Sequence, residues 1–377
     1  MGARLKSQRF KTLVGVGGIG TGIFFALEGD HTLGRNESRP GRLLDVRDYC
    51  KLHIIAHYVA RLMGAAPAGE PFHVAPVGFV GDDEPGRRMI AEMAAAGMDT
   101  THVKTAPGRP TLFSVCFQYP DGSGGNITTS DAAAAALTAA DVEAAAPIFD
   151  ASPGAAVALA APEAPLAARA ALLDVAAARD SFRVLAVTSA EVPAAADAGL
   201  FAKADLAALN EDEAAVLAGG EFDPGEPRPF LDSLASALRR GNEGIRIILS
   251  AGKAGAWGFE DGRWDFTAPP EVPVAGTAGA GDALLAGAVA GIAAGLPLVG
   301  GQERGSSLTG RTVETALDLA VLLAAFTVTS PHTIHPDADL DALIEFAGEY
   351  NIQFSRNVTD AFVTDQGAGN GRKRSAC

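Results

Sequence analysis

A glycine-rich turn followed by one acidic residue is the first place where residue types and spacing could do chemistry. Gly279-Ala280-Gly281-Asp282 follows an extended run and opens an alanine-rich apolar stretch with the pattern of a helix. Free N–H groups and the positive dipole end at a helix start form a site for an anion. On the motif alone Asp282 keeps two interpretations. It is either a helix-capping acid or a general base beside a bound phosphate.

Asn210 and Glu213 form a second candidate site. Asn210 ends an apolar run that has the pattern of a strand, and Glu213 follows in the first turn of the next predicted helix. At this spacing an amide and a carboxylate can hold hydrated Mg²⁺, which keeps several waters and takes few protein ligands. The same spacing is typical of a capping box, in which the two side chains satisfy the helix start. Taken alone, the spacing favours the capping box.

Two glycine-containing turns have weaker signals. Residues 247–262 have the pattern of a hairpin whose turn carries Lys253. Its glycines could cover a nucleotide, or the lysine could be exposed at an ordinary turn. Residues 15–20 match the G-x-G-x-x-G dinucleotide fingerprint, but the polar segment that follows lacks the acid-terminated second strand that this fold needs. The sequence has no P-loop, H-E-x-x-H or G-x-S-x-G motif.

Composition limits the class of protein. A chain of 377 residues with 48% hydrophobic residues can bury a large core. Its formal net charge of −15 disfavours nucleic acid and anionic membrane surfaces as partners. The 3 cysteines have no metal or disulfide spacing, and no uninterrupted apolar run is long enough to span a bilayer. We therefore expect a cytoplasmic globular protein.

Short apolar runs alternate with alanine-rich helical patterns, which predicts an α/β layered fold with a mainly parallel sheet. Strands are predicted at residues 11–17, 72–81, 154–161, 182–190, 204–210, 245–252 and 255–262. Helices are predicted at residues 86–98, 164–180, 211–220 and 230–241.

Two segments interrupt this alternation. Residues 28–53 are polar and too long for a simple connection, and residues 110–130 alternate on both sides of an Asp-Gly turn, as a hairpin does. We expect both to form a small antiparallel flap over one edge of the main sheet. Residues 356–377 turn polar and lose their pattern, so a single domain over residues 1–355 with a disordered tail is predicted.

The order of these motifs resembles the ribokinase-like (pfkB) family of carbohydrate and nucleoside kinases. The chain carries N-x-x-E, then a strand with SAGKAG, then GTAGAGD and an alanine-rich helix. PVGFVGDDEPG resembles the family's G-x-V-G-D-D-x-x-G segment, RPTLFSVCFQYPDG its lid-and-substrate hairpin, and VLLAAFTVTSPHTIHP its final nucleotide-flanking helix and loop. The resemblance covers residues 12–346.

The resemblance implies a three-layer α/β/α sandwich with a small β lid, and an enzyme that phosphorylates a hydroxyl of a sugar, nucleoside or related small molecule with ATP and Mg²⁺. Asp282 would be the general base, and the backbone amides of Gly279, Ala280 and Gly281 the anion hole. Asn210 and Glu213 would place Mg²⁺, through water, and the phosphates. The residues that would lie along the nucleotide are Ser250, Gly252, Gly255 and Thr277. Lids in this family often pair between subunits, which implies a homodimer.

The chain departs from the family pattern at two places. Gly276 stands where the family's D-T-x-G-A-G-D motif has an aspartate that helps form a monovalent-cation site, which argues against potassium activation. The family's aspartate after the first strand and its G-G-x-x-x-N motif have no clear equivalents. Asp48, Lys51 and His53 occupy that neighbourhood and are the candidate acceptor-binding residues. These departures leave an alternative open, a non-catalytic small-molecule-binding protein on the kinase fold.

Overall fold

Strands and helices alternate along the chain much as the apolar runs predict. The computed structural model describes residues 2–120, 124–300 and 306–364. The strands are β1 (Ala3–Leu5), β2 (Thr12–Val16), β3 (Gly20–Leu27), β4 (Gly41–Tyr49), β5 (His73–Gly81), β6 (Val103–Ala106), β7 (Leu112–Gln118), β8 (Gly124–Thr128), β9 (Ala156–Ala160), β10 (Phe182–Ala186), β11 (Leu206–Asn210), β12 (Arg246–Ser250), β13 (Ala256–Glu260), β14 (Arg263–Ala268), β15 (Ser306–Ser307), β16 (Thr312–Val313), β17 (Gln353–Phe354) and β18 (Phe362–Thr364).

The helices connect these strands and cover the sheet that they form. They are α1 (Lys51–Met63), α2 (Glu84–Ala95), α3 (Ala139–Glu143), α4 (Ala146–Asp150), α5 (Leu166–Ala177), α6 (Val192–Asp197), α7 (Leu200–Lys203), α8 (Glu211–Ala218), α9 (Pro227–Arg239), α10 (Ala280–Ala293), α11 (Ala316–Thr327), α12 (Leu340–Glu349) and α13 (Arg356–Thr359). Short 3₁₀ turns occupy Ala133–Ala136 and Gly252–Ala254. None of the described helices is long and apolar enough to cross a membrane.

The central layer is a sheet whose described strands run in the order β15-β14-β13-β12-β11-β10-β9-β2-β5-β6. From β6 to β12 neighbouring strands are parallel, and β13 and β14 continue the sheet antiparallel. Successive residues of β2 face different cores. Leu13 packs in the core that contains α1, α10 and α11, and Val14 in the core that contains α5 and α9. Helices therefore cover both faces, and the predicted three-layer α/β/α sandwich is confirmed.

A second sheet of four strands has the order β4-β3-β7-β8 and is called the lid sheet below. It contains the predicted hairpin, because β7 and β8 pair antiparallel, although the Asp-Gly turn between them lies outside the described residues. The segment 28–53 contributes only β4 and the start of α1. The central strand β3 pairs parallel with β7, so the sheet is mixed. β3 is not part of the flap predicted from the sequence, because that prediction rests on the polarity of residues 28–53 and β3 is apolar.

The chain remains structured beyond residue 355. Helix α13 begins after Ser355, whose side chain accepts a hydrogen bond from the Val358 amide, and β18 pairs antiparallel with β1 near the N-terminus. The rings of Phe354 and Phe362 lie 5.2 Å apart. The prediction of a disordered tail is therefore wrong for residues 356–364, because their partner strand comes from the opposite end of the sequence. Residues 365–377 lie outside the described residues.

The G-x-G-x-x-G match at residues 15–20 does not open a helix. It joins β2 to β3, the central strand of the lid sheet. A dinucleotide fold needs a helix N-terminus at this point to hold the pyrophosphate. The topology therefore contradicts the dinucleotide interpretation, in agreement with the missing second strand.

Candidate active site

The candidate residues gather at the carboxyl edge of the parallel strands. β11 ends at Asn210, β12 ends at Ser250, and Glu163 follows shortly after β9. Asn210 and Ser250 are also cross-strand neighbours in the sheet register. The carboxyl edge is where ligands bind in open α/β sheets. The sheet thus brings together residues that are far apart in the sequence.

The start of α10 is an open helix N-terminus. Gly279 is its N-cap residue, with a φ of 83° and no side-chain hydrogen bond to the helix. A Cβ at this position would lie 2.3 Å from the carbonyl oxygen of Thr333, so only glycine permits this close approach. The Ala280 amide reaches the Thr277 carbonyl at 3.3 Å, and the Ala283 amide donates to the Gly279 carbonyl at 2.8 Å. The Gly281 and Asp282 amides between them have no acceptor within the helix. Asp282 lies in the first turn but does not cap it, so the capping interpretation is wrong.

Asp282 faces Lys51, the first residue of α1. Lys51 Nζ lies 3.6 Å from Asp282 Oδ1, and the two side chains are 37% and 13% exposed. The backbone amide of Lys51 donates a hydrogen bond to Glu163 Oε2 at 3.1 Å. One ammonium group and two carboxylates from three separate segments therefore meet; we call Lys51, Glu163 and Asp282 the central cluster.

Glu163 is not among the residues predicted from the sequence, because no motif or spacing marks it. The one available signal was its position as the first charged residue after the apolar strand β9. Its φ of 68° lies in the left-handed region, which residues other than glycine rarely adopt. Strained backbone of this kind gathers at functional sites, where the surrounding structure maintains it.

Burial and the neighbouring charges set the protonation of the central cluster. Burial raises the pKa of Asp282, and the positive charge of Lys51 opposes that shift. Burial also raises the pKa of Glu163, again against Lys51. Asp282 in turn raises the pKa of Lys51, so the ammonium stays charged. The charge of Lys51 therefore favours the anionic form of Asp282, whereas burial favours the neutral acid.

Asp48 lies near the end of β4, beside the central cluster, and is buried. A Cβ on its cross-strand neighbour Gly22 would lie 2.3 Å from Asp48 Oδ2, so the carboxylate fills the space that a side chain on β3 would take. The Cys116 thiol lies 4.0 Å from the same oxygen. Burial raises the pKa of Asp48 to about 7, and the charge of Glu163 adds to the shift. Asp48 therefore changes protonation near neutral pH.

His53 lies apart from the central cluster. It is 1% exposed, and its ring lies 4.6 Å from the ring of Tyr49 and 6.0 Å from that of His57. Burial lowers the pKa of His53 well below its ordinary value, and the second contribution comes from His57. His53 is thus buried beside the rings of Tyr49 and His57. The structure brings Asp48 and Lys51 to the site, but not His53.

Asn210 and Glu213 form the capping box that their spacing favours. Asn210 Oδ1 accepts from the Glu213 amide at 2.8 Å, and Glu213 Oε2 accepts from the Asn210 amide at 2.9 Å. Burial raises the pKa of Glu213 to about 7, against the Asn210 backbone hydrogen bond and the charge of Lys51. The cap uses only part of the acceptor capacity of the carboxylate, so a role in placing Mg²⁺ stays a prediction. Among the described residues, no group of three or more His, Cys, Asp and Glu side chains could hold a metal ion.

The predicted nucleotide residues lie at the end of β12, in the turn after it, and in the segment before α10. β12 and β13 pair antiparallel, which confirms the predicted hairpin. Ser250 ends β12, Gly252 begins the 3₁₀ turn that follows, and Gly255 comes directly after that turn. Thr277 is exposed in the segment before α10. Their contact with a nucleotide stays a prediction.

The nearest neighbours of Gly276 are backbone atoms and not charged side chains. A Cβ there would lie 3.3 Å from the carbonyl oxygens of both Ser330 and Pro331. These oxygens could serve a monovalent cation, but position 276 offers no carboxylate to join them. The residues present therefore fit the family's cation site poorly, and no role for such an ion follows from this geometry.

Solved kinase structures share this fold. A carbohydrate kinase from Agrobacterium tumefaciens has a TM-score of 0.61 at 20% identity, covering 91% of this chain and 99% of that chain. Ribokinase from Cryptococcus neoformans var. grubii serotype A, in complex with ADP, has a TM-score of 0.64 at 20% identity, covering 90% and 99%. An E. coli protein described as a candidate ribokinase II, in complex with ATP and Mg²⁺, has a TM-score of 0.65 at 17% identity, covering 90% and 100%.

The family assignment comes from the sequence itself. Among curated proteins, none matches the chain. The model of the pfkB family of carbohydrate kinases matches residues 55–339, a range that includes Asp282 and begins just after Lys51. Together with the fold and the open start of α10, this match shows that the chain belongs to the pfkB carbohydrate kinase family.

Proposed function

We propose that this kinase transfers the terminal phosphoryl group of ATP to a hydroxyl group of a sugar, a nucleoside or a related small molecule. The observation that carries the proposal is the pairing of Asp282 with Lys51 at 3.6 Å, at the open start of α10. Phosphoryl transfer needs positioning, a base and charge stabilisation more than covalent chemistry. The structural neighbours in complex with ADP, or with ATP and Mg²⁺, support the choice of nucleotide.

Asp282 is the general base in this proposal. Its carboxylate takes the proton of the acceptor hydroxyl while the acceptor oxygen forms a bond to the terminal phosphorus, the bridging P–O bond breaks, and ADP leaves. ATP would supply the electrophilic phosphorus, and Mg²⁺ held by Asn210 and Glu213 would offset the negative charge of the leaving group. The amides of Gly279, Ala280 and Gly281 donate hydrogen bonds to the oxygens of the transferring group. Lys51 keeps Asp282 ionised and places a positive charge beside that group.

Asp48 and Glu163 bind the acceptor in this proposal. Burial raises the pKa of both, which means that each carboxylate lacks part of its hydration. Ligand hydroxyl groups can restore the missing hydrogen bonds as donors. A phosphate or carboxylate on the acceptor would instead meet like charge. The acceptor is therefore an uncharged polyhydroxy compound.

The remaining predicted residues serve the nucleotide. Asn210 and Glu213 place Mg²⁺ through water, since a hydrated ion needs few protein ligands. The nucleotide lies along Ser250, Gly252, Gly255 and Thr277, and the lid sheet excludes water from the reacting groups.

The lid sheet is also the surface through which we propose that two subunits pair. Its strands expose Leu43 to 59% and Ile127 to 68%. Large exposed apolar side chains on a sheet favour association.

Replacing Asp282 with Asn tests the proposal. The amide keeps the size of the side chain but cannot take the proton, so kcat should fall by about 10²- to 10⁴-fold. Affinity for ADP and Mg²⁺, measured by calorimetry, should stay close to that of the wild type. Asp261→Asn is the matched control, because Asp261 lies at an exposed turn with a φ of 51° that asparagine tolerates. Equal kcat in Asp282→Asn and the wild type would overturn the assignment of the base.

The alternative of a non-catalytic binding protein makes a different prediction. A thermal-shift panel of uncharged sugars and nucleosides with ATP and Mg²⁺ identifies ligands of the wild type, since any ligand of the folded state raises the melting temperature. A product assay on those ligands then separates the two functions. Stabilisation without phosphorylation across the panel would favour the binding protein.

A further inference from the structure

The loop between α11 and α12 contacts the turn that precedes α10. The amides of Ala275 and Gly276 donate to the Val328 carbonyl at 2.8 and 3.3 Å. Thr333 packs directly against Gly279, since a Cβ on that glycine would lie 2.3 Å from the Thr333 carbonyl oxygen and 3.0 Å from its Cα. The loop therefore fixes the positions of the first backbone amides of α10.

The same loop is hydrogen-bonded to the lid sheet. The Arg47 amide donates to His332 Nδ1 at 3.0 Å, and the Thr333 amide donates to the Arg47 carbonyl at 3.2 Å. The Tyr49 amide donates to Thr333 Oγ1 at 3.1 Å. β4 is an edge strand, so these bonds satisfy backbone groups that no strand pairs with. We call Arg47, Tyr49, His332 and Thr333 the latch.

A third contact ties the loop to α1. The His335 amide donates to the Tyr58 hydroxyl at 2.8 Å, and the Thr327 hydroxyl donates to the same oxygen at 2.9 Å. Tyr58 and Thr327 are buried. The loop is thus held between α1, which carries Lys51, and β4, which carries Asp48.

We propose that the latch positions the anion hole, so that β4 holds residues 279–281 in place through Thr333 and His332. Both are positioning residues, because the latch reaches the phosphoryl site through the backbone of Gly279. β4 also carries Asp48, so acceptor binding and the anion hole are mechanically coupled. This inference rests on the proposed function, in which the first amides of α10 bind the transferring group. A displacement of about 1 Å in such groups can cost 10²-fold in rate.

Replacing Thr333 with Val tests the latch, because it removes the hydroxyl that accepts from Tyr49 and keeps the size. We expect kcat to fall by about 10- to 100-fold, while KM for ATP stays near its wild-type value. Thr333→Ser should restore most of kcat. Thr329→Val is the matched control, since Thr329 lies in the same loop but its hydroxyl donates to the Phe326 carbonyl, in the last turn of α11, at 2.7 Å. A kcat in Thr333→Val equal to that of Thr329→Val would overturn the inference.

Amide hydrogen exchange provides a readout that needs no turnover. The Tyr49 amide should exchange faster in Thr333→Val than in the wild type, because it loses its acceptor. In Thr329→Val its exchange should not change. If the wild type shows no turnover with any acceptor, the proposed function fails while this readout still decides the contact. Unchanged exchange of Tyr49 in Thr333→Val would then reject the latch.

Discussion

The starts of α10 and α1 face each other across the site and are built in opposite ways. α10 begins at a left-handed Gly279 without a side-chain cap, so its first amides stay available to a ligand. α1 begins after Cys50, also without a local cap, but Glu163 accepts a hydrogen bond from the Lys51 amide. The protein thus closes one helix start with its own carboxylate and leaves the other open.

The difference shows how two similar helix starts acquire different roles. An open start, with its positive dipole end, attracts an anion. A helix start whose amide already donates to a carboxylate no longer attracts an anion. The carboxylate instead holds the first residue of the helix in position. At α1 that residue is Lys51, whose ammonium lies 3.6 Å from Asp282 at the open start. The start of α1 thereby places a positive charge at the open start of α10.

Removing the positive charge of Lys51, at the closed start of α1, should have the largest effect on kcat. In Lys51→Met, kcat should fall by about 10²- to 10³-fold, as for the loss of one group that stabilises transition-state charge. The acid limb of the pH profile of kcat should also move to higher pH. The sign follows because Lys51 lowers the pKa of Asp282, which burial raises, so without Lys51 the base stays protonated to higher pH. An acid limb that does not move would show that Lys51 does not act on Asp282.

A smaller effect is expected from Asp48, on the acceptor side of the comparison. Its pKa is raised to about 7, so KM for the acceptor should fall as pH rises through 7 and the carboxylate forms. In Asp48→Asn, KM should rise by about tenfold, as for the loss of a hydrogen bond to a charged group. The dependence of this KM on pH near pH 7 should also disappear in Asp48→Asn. Glu213 has a similarly raised pKa, and a pH dependence that persists in Asp48→Asn would assign it to that residue instead.

The smallest effect is expected from potassium, which the turn before α10 would have to bind. Gly276 offers no carboxylate, and the turn is held by hydrogen bonds to Val328. An ion that binds the folded state raises its melting temperature by mass action. We therefore expect equal melting temperatures and equal kcat in potassium and sodium chloride at the same ionic strength. A rise specific to potassium would show that the Ser330 and Pro331 carbonyls bind this ion without a carboxylate.

Sequence predicted the features of the open start and missed most of those of the closed one. A glycine turn, a helix start and a capping box depend on residues a few positions apart, so periodicity and spacing locate Asp282, Asn210 and Glu213. Glu163 meets Lys51 only because β9 ends, and α1 begins, at the same edge of the sheet. Rules based on the spacing of nearby residues cannot predict this contact between distant segments.

Other errors have the same origin. Polarity placed the lid at residues 28–53, whereas its central strand β3 is apolar because it packs within the lid sheet and on α2. His53 stands close in sequence to Lys51, but the helix turns it into a buried aromatic cluster. The strand at residues 362–364 pairs with residues 3–5, a contact that no periodicity reveals.

The central claim is that the Asp282–Lys51 pair and the open start of α10 transfer a phosphoryl group to an uncharged acceptor. Its most direct test is mass spectrometry of the products after incubating the wild type with ATP, Mg²⁺ and a panel of sugars, nucleosides and their phosphorylated analogues. We predict equimolar ADP and acceptor phosphomonoester with at least one uncharged compound, and no product with the phosphorylated analogues. Binding of uncharged compounds without any phosphomonoester, or turnover of the phosphorylated analogues alone, would contradict it.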